Sequence, residues 1–442
     1  MIWVANLLYL SVLLLSSPWL MYRRIRTGRY RTGKLEKLFG PSPKRLPAEW
    51  RSSQATVIWL HGVSVGEIQL LAPIVAGLKR LLPTARFAIS TTTESGMELA
   101  KKLFTDDLLF FYPLDFSFAV NRALDLLKPS LIVLGELELW PNLLTLAHKR
   151  GIPTSVINGR LSERSYLRYQ AFLFLVRPMF ERLDLVLAQT ETYAKRFIEC
   201  GAGRDRTTVV GSVKFDNVTF DRQAVEVCKF RAMIGQHSTD EQAAIIWTMG
   251  STQIGEEDAA VDAFCELRAT YPNLRLIIVP RHPERFDQVY ALLCQRPVRV
   301  IRRSAVVQLE IGQWDVLLVD TIGELRWWWG VTDIAIVGGS FGARGGQNML
   351  EPAAFGANVA FGPNTSNFRD VVERLLEADA AVRLFDLNGI RPWVQQQLDS
   401  PEIGVERGKR AQEVVASQQG ALSKTCCHLE RLISGDFSKL SG

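Results

Sequence analysis

Short apolar runs alternate with helical patterns along most of this chain, and they do so in two series separated by a polar stretch. The first series has strand-like runs at Val57–Leu60, Phe87–Thr92, Leu108–Tyr112, Leu131–Leu134, Thr154–Asn158, Leu185–Gln189 and Thr208–Val210. The second has them at Ala244–Met249, Leu274–Pro280, Val298–Ile301, Val316–Val319, Ile334–Val337 and Val359–Phe361. Helix-period segments fall between them, as at Ser95–Leu103, Ala119–Leu127, Glu256–Thr270 and Asn367–Glu377. Strand–helix alternation of this kind predicts α/β folding with doubly wound parallel sheets. A chain of 442 residues is long enough for two such Rossmann-like domains, and a site in the cleft between them is expected.

The expected organisation is an anchor over 1–22, a basic juxtamembrane segment over 23–52, a first Rossmann-like domain over 53–215, a linker region over 216–243, a second domain over 244–402 and a helical tail over 403–442. Residues 2–21 are almost wholly apolar, about the length that spans a bilayer's hydrocarbon core. Nine basic residues and one acid lie between Arg23 and Arg45, a net of +8 in a chain whose total is +6, so the remaining residues sum to −2. Positive charge following the apolar run predicts an uncleaved anchor with the rest of the chain in the cytoplasm. The run either crosses the membrane or lies in its interface, and both arrangements hold the protein at the membrane. Because the basic excess is local, it does not describe a nucleic-acid-binding body. Six cysteines without C-x-x-C spacing and five scattered histidines predict neither a disulfide framework nor a structural zinc site.

Five segments carry candidate chemistry. Ser64-Val-Gly-Glu67 opens a helix directly after the strand Val57–Leu60, where open α/β sheets place ligands. Its spacing fits a capping box, and Glu67 fits a general base in the same position; the pattern does not separate the two. Gly135-Glu-Leu-Glu-Leu-Trp-Pro-Asn142 closes another strand with two acids, of which Glu136 is the better placed to reach a ligand and Glu138 to cap or face solvent. Lys214, between Val213 and Phe215, is either a snorkelling edge residue or a cation for developing negative charge. Arg281 and His282 end a strand before Pro283 restarts a helix, placing Arg281 where an anion can lie. In the run from Val337 to Pro352, Gly338, Gly339, Gly342, Gly345 and Gly346 lie between a strand and a helix, so backbone N–H groups are expected to approach a phosphate, with Glu351 placed for ribose hydroxyls. Neither G-x-G-x-x-G nor a P-loop occurs, and Asp-x-Asp is absent, which argues against a metal-bridged diphosphate.

Together these segments resemble the 3-deoxy-D-manno-octulosonate (Kdo) transferases of lipopolysaccharide assembly. The likeness runs in order through His61–Glu67, Thr91–Gly96, Tyr112–Asp115, Glu136–Asn142, Asn158–Ser162, Gly211–Asp216, Gly250–Glu257, Pro280–Phe286, Asp320–Leu325, the glycine-rich loop and Gly362–Phe368. The resemblance implies an inverting, metal-independent glycosyltransferase of GT-B fold at the inner membrane, moving Kdo from CMP-Kdo to a lipid A precursor with no cofactor. It implies that Glu67 is the base, that Glu136 and Lys214 support the transition state, and that Pro280, Arg281, Ile322, Gly323, Glu324, Asn348, Met349, Leu350 and Glu351 line the CMP site. Gln347 and Met349 stand where the family usually has His and Pro, while Asn348 and Glu351 are kept. A GT-B transferase using a UDP-sugar and a non-catalytic nucleotide-binding scaffold are the alternatives.

Overall fold

A computed structural model describes residues 32–46, 50, 55–216, 218, 221–236 and 244–435, with Asn6, residues 9–11 and Leu15 besides. The chain divides into two compact units, Met1–Asn217 with Gln419–Gly442, and Val218–Gln418. Each holds one seven-stranded sheet in which every pairing is parallel.

The first sheet runs β3-β2-β1-β4-β5-β6-β7, from β1 (Val57–His61), β2 (Arg86–Thr91), β3 (Leu108–Phe111), β4 (Leu131–Gly135), β5 (Thr154–Gly159), β6 (Leu185–Ala188) and β7 (Thr207–Val209). A parallel strand covered on both faces reads as a continuous apolar run, because alternate side chains enter different cores. In β1, Ile58 and Leu60 pack with Ile68, Leu71 and Ile74 of the helix Val65–Leu81, whereas Trp59 joins Phe110, Ile132 and Leu134 on the opposite face. From β1 the chain proceeds outward to β3 and then returns to β4 on the other side. That reversal opens a crevice at the carboxyl ends of β1 and β4.

The second sheet runs β10-β11-β9-β8-β12-β13-β14, from β8 (Ile245–Thr252), β9 (Leu274–Pro280), β10 (Val300–Arg302), β11 (Val316–Leu318), β12 (Ile334–Val337), β13 (Asn358–Phe361) and β14 (Ala381–Arg383). Its reversal lies between β8 and β12. β14 was absent from the sequence expectation: it is a three-residue edge strand ending on a charged side chain, too short to show a period.

Residues 216–243, expected as a linker region, contribute the helix Val225–Met233 to the second unit. There Phe230 meets Trp328 edge to face at 4.7 Å between centroids. Arg222 donates to the carbonyls of Phe355 (2.6 Å) and Thr332 (2.7 Å). The tail expected over 403–442 is two elements: Pro401–Ser417 lies in the second unit, and Ala421–Ser434 packs on the helix Val65–Leu81 of the first. A Cβ on Gly77 would come within 2.6 Å of Cys426 Sγ, so that approach of two helices requires glycine. The expected anchor lies outside the described residues apart from Asn6, residues 9–11 and Leu15. Among the described residues no helix is long and apolar enough to cross a membrane.

Candidate active site

The crevice at β1 and β4 collects the acids. Ser64 caps the helix Val65–Leu81, its Oγ accepting from the N–H of Glu67 at 3.3 Å. The Glu67 carboxylate accepts from Ser64 Oγ (2.9 Å) and from the N–H of Val63 (2.9 Å). The capping reading is therefore correct for Ser64, and the Glu67 carboxylate takes the N–H of Val63 more strongly than the cap's own N–H. Thr91 and Thr93 donate their hydroxyls to the Val63 carbonyl at 3.1 and 3.0 Å, which holds the turn in place. A Cβ on Gly62 would lie 3.1 Å from Glu67 Cβ, so the glycine leaves room for the acid.

Glu67 is 9% exposed. Burial pushes its carboxyl above the ordinary range; bonds from Val63 and Ser64 oppose this, and the negative charge of Glu136 adds to it. Desolvation thus outweighs the helix dipole, which alone favours the ionised form at a first-turn position. The result is a carboxylate with higher proton affinity than a solvated one, as a general base needs.

Glu136 follows β4 with φ +52°, a left-handed conformation costly for a residue bearing a Cβ. Its Oε1 lies 3.6 Å from Lys214 Nζ. Strained backbone of this kind persists where surrounding bonds hold it. Here the Glu136 N–H donates to Ile157 O at 3.0 Å. Lys214 is positioned from both sides. Asn158 Oδ1 accepts from the N–H of Val213 (3.3 Å), and Asp216 accepts from the N–H groups of Gly420 (2.6 Å) and Leu422 (2.8 Å) at the start of the last helix.

Glu138, expected to cap or face solvent, does not cap the helix Pro141–Lys149, whose first N–H groups, of Asn142 and Leu143, go to the Asp115 carboxylate at 2.8 and 3.0 Å. Its carboxyl is pushed up to about 7, by burial first and then by the charges of Glu67 and Glu136. It lines a cavity of about 1060 Å³ in this unit, together with Val63, Tyr112, Trp140, Lys34 and Lys37. Behind that wall His61, Tyr112 and Trp140 form an aromatic cluster, His61 and Tyr112 at 4.2 Å and Tyr112 and Trp140 at 5.1 Å between centroids. Burial lowers the His61 pKa to about 3, so its imidazole is neutral. His61 Nε2, Tyr112 OH and Trp140 Nε1 are buried with no hydrogen-bond partner among the described residues. Such atoms cost free energy unless something supplies a partner. The signal in the sequence was Pro141, which starts the helix after Glu138 and leaves that acid outside it.

In the second unit the crevice at β8 and β12 is filled from within. Glu256, 2% exposed, accepts from the N–H groups of Gly339 (2.9 Å) and Phe341 (3.4 Å) of the glycine-rich loop, and from that of Gln253 (2.8 Å). A Cβ on Gly338 would lie 2.6 Å from Glu256 Oε2. The N–H groups of Gly338 and Gly346 donate to Gly250 O and Gly339 O. Much of the loop expected to cradle a phosphate is thus committed inside the chain, and the helix after it spans only Leu350–Ala354.

The nine residues expected around CMP are all in this unit. Pro280 ends β9, and the Arg281 N–H donates to Thr252 O at 3.1 Å. Ile322 is 79% exposed beside Gly323, which has φ +86°. Glu324 is engaged by Arg303 through two bonds of 3.0 Å. Asn348 donates to Glu351 (3.0 Å) and accepts from the N–H of Leu350 (3.0 Å). Burial pushes the Glu351 carboxyl up against that bond. Met349 and Leu350 are core residues, so only their backbone is available to a ligand.

Two seven-stranded parallel sheets of this type recur in solved structures of GT-B fold. The fold is shared with a UDP-GlcNAc 2-epimerase from Neisseria meningitidis (TM-score 0.53, 14% identity, 86% of this chain and 100% of that one). It is shared also with the calicheamicin glycosyltransferase CalG4 (TM-score 0.54, 14% identity, 86% and 99%). A family model described as 3-deoxy-D-manno-octulosonic-acid transferase (kdotransferase) matches residues 31–217. The chain is 34% identical over 369 residues to a 3-deoxy-D-manno-octulosonic acid transferase of Haemophilus influenzae, covering 83% of this chain and 85% of the relative. It is 34% identical over 425 residues to one of Bordetella pertussis, covering 93% and 95%. The chain belongs to the Kdo transferase family and is a glycosyltransferase.

Proposed function

We propose that the protein transfers Kdo from CMP-Kdo to a hydroxyl of a lipid A precursor, with inversion and without a metal ion, on the cytoplasmic side of the inner membrane. The observation that carries the reading is the cluster of Glu67, Glu136 with Lys214, and Glu138, the last of which lines the large cavity of the first unit. Glu67 takes the proton of the acceptor hydroxyl as that oxygen attacks the anomeric carbon, and CMP leaves as an anion. Lys214 offsets the negative charge gathered at the three acids. The apolar part of the cavity wall suits an acylated acceptor. Pro280, Arg281, Ile322, Gly323, Glu324 and Asn348–Glu351 hold CMP. The apolar run over 2–21 and the basic segment after it keep the enzyme at the lipid surface.

The test is the product mass after incubating the full chain with CMP-Kdo and a lipid A precursor in the presence of a chelator. An acceptor heavier by one or more Kdo units supports the reading. No Kdo-bearing product, or turnover that requires an added divalent metal, contradicts it.

A further inference from the structure

A second cavity, of about 450 Å³, lies wholly within the unit Val218–Gln418. Its walls include Gly345 of the glycine-rich loop, Thr365 and Ser366, Arg369 and Glu373 of the helix Arg369–Glu377, and Arg383 at the end of β14. The wall is built. Asn367 donates its N–H to Gly345 O (2.9 Å) and its Nδ2 to Arg344 O (2.9 Å), while the Asn364 N–H donates to Ser340 O (2.8 Å). These bonds fasten one wall of the cavity to the glycine-rich loop. Gly345 has φ +80°, and a Cβ there would meet Ser366 Oγ at 2.5 Å, so the closeness of the two segments depends on glycine.

The cavity brings two arginines to one place. Other arginines of this unit are held in ion pairs, among them Arg285 with Glu257, Arg299 with Asp315, Arg302 with Asp320 and Arg303 with Glu324. Arg369 and Arg383 make no ion pair among the described residues, although Glu373 shares their cavity. The helix Arg369–Glu377 has no side-chain cap at its start. Thr365, 7% exposed, lines the cavity with a hydroxyl that makes no hydrogen bond among the described residues. Two guanidinium groups without an ion pair among the described residues, beside the hydroxyls of Thr365 and Ser366, make a receptor for a carboxylate.

We propose that this cavity binds the carboxylate of the donor sugar, with Arg369 and Arg383 as its cationic partners; the assignment rests on the Kdo-transfer reading. In a glycosyl phosphate of a 2-keto sugar acid, the carboxylate and the phosphate oxygen are bonded to the same carbon. The carboxylate site must therefore adjoin the phosphate site, and Gly345 belongs both to the cavity and to the loop leading to Asn348–Glu351. Glu373 then accepts from sugar hydroxyls. A donor whose sugar is neutral has no use for two unspent arginines at this point.

The test uses the full-length chain and its Arg369→Gln, Arg383→Gln and Arg383→Lys variants. It measures KM for CMP-Kdo and, separately, the inhibition constant of CMP, which carries the phosphate but no carboxylate. Loss of a charge-assisted contact predicts that KM rises at least about tenfold in either Gln variant. CMP inhibition stays within about twofold, because only one of the two ligands carries the contact. Arg383→Lys recovers part of the loss. Unchanged KM in both Gln variants overturns the assignment, as does an equal rise in the CMP constant, which moves the arginines to the phosphate. Absence of Kdo transfer by the parent chain overturns the reading beneath it.

Discussion

The two sheets reverse direction in the same way, yet their crevices are put to different use. In the first unit the crevice at β1 and β4 presents Glu67 and Glu136, and Glu138 beside them opens on a cavity with unpartnered polar atoms in its wall. In the second the crevice at β8 and β12 is closed by Glu256, whose carboxylate takes N–H groups of the glycine-rich loop that a ligand would otherwise receive. An acid at a topological switch point is thus not catalytic by position alone. What separates Glu67 from Glu256 is its surroundings: the charges of Glu136 and Glu138 in one case, three backbone donors in the other.

Breaking the first arrangement has the larger effect. Lys214→Gln leaves the carboxylates without their cation, and kcat for Kdo transfer is expected to fall about a hundredfold, as when one preorganised charge stabiliser is lost. With Lys214 gone, the negative charge of Glu136, which already raises the Glu67 carboxyl, is no longer offset, and the acidic limb of the pH–rate profile is expected to move to higher pH. Breaking the second arrangement shows as stability. Glu256→Ala leaves buried N–H groups unsatisfied and lowers the unfolding free energy of its unit by about 2 kcal/mol in denaturant titration, and Glu256→Gln recovers part of it. An unchanged midpoint in Glu256→Ala would mean that the loop does not depend on this acid.

A smaller effect sharpens the account of Lys214. Asp216→Ala removes the acceptor for the first N–H groups of the helix Ala421–Ser434, and stability falls by about 1 kcal/mol, typical of a lost cap. The smallest concerns Glu138. Its folded-state pKa of about 7 lies above the ordinary value of 4.5, so the folded state holds a proton that the unfolded state releases between those values. Stability from this group is therefore full below pH 4.5 and is lost as pH rises to about 7. Glu138→Gln flattens that part of the stability–pH curve; an identical slope in the variant counts against the assignment.

What the sequence made legible follows from the same physics. Strands buried on both faces, such as Val57–Leu60 and Ile334–Val337, announce themselves by composition, and β14 escaped because Ala381-Val-Arg has neither length nor period. Ser64 and Glu67 were legible as a cap because their spacing is local. The pairing of Glu136 with Lys214 was not, since nothing local links residues 78 positions apart. Glycine at 338 and 339 reads as a phosphate cradle, but a loop holding a carboxylate of its own chain calls for the same residues. Glu138 was underrated because its neighbours in space, Tyr112 and Lys37, are remote in sequence.

The central claim is that Glu67, and not merely its helix cap, carries the chemistry. The direct measurement is the single-turnover rate of Kdo transfer by Glu67→Gln, alongside its unfolding midpoint and CMP inhibition. The account predicts a rate lower by about a thousandfold, within the range for loss of a general base, with the other two near those of the parent chain. A rate within about tenfold of the parent, far short of a lost base, would contradict it.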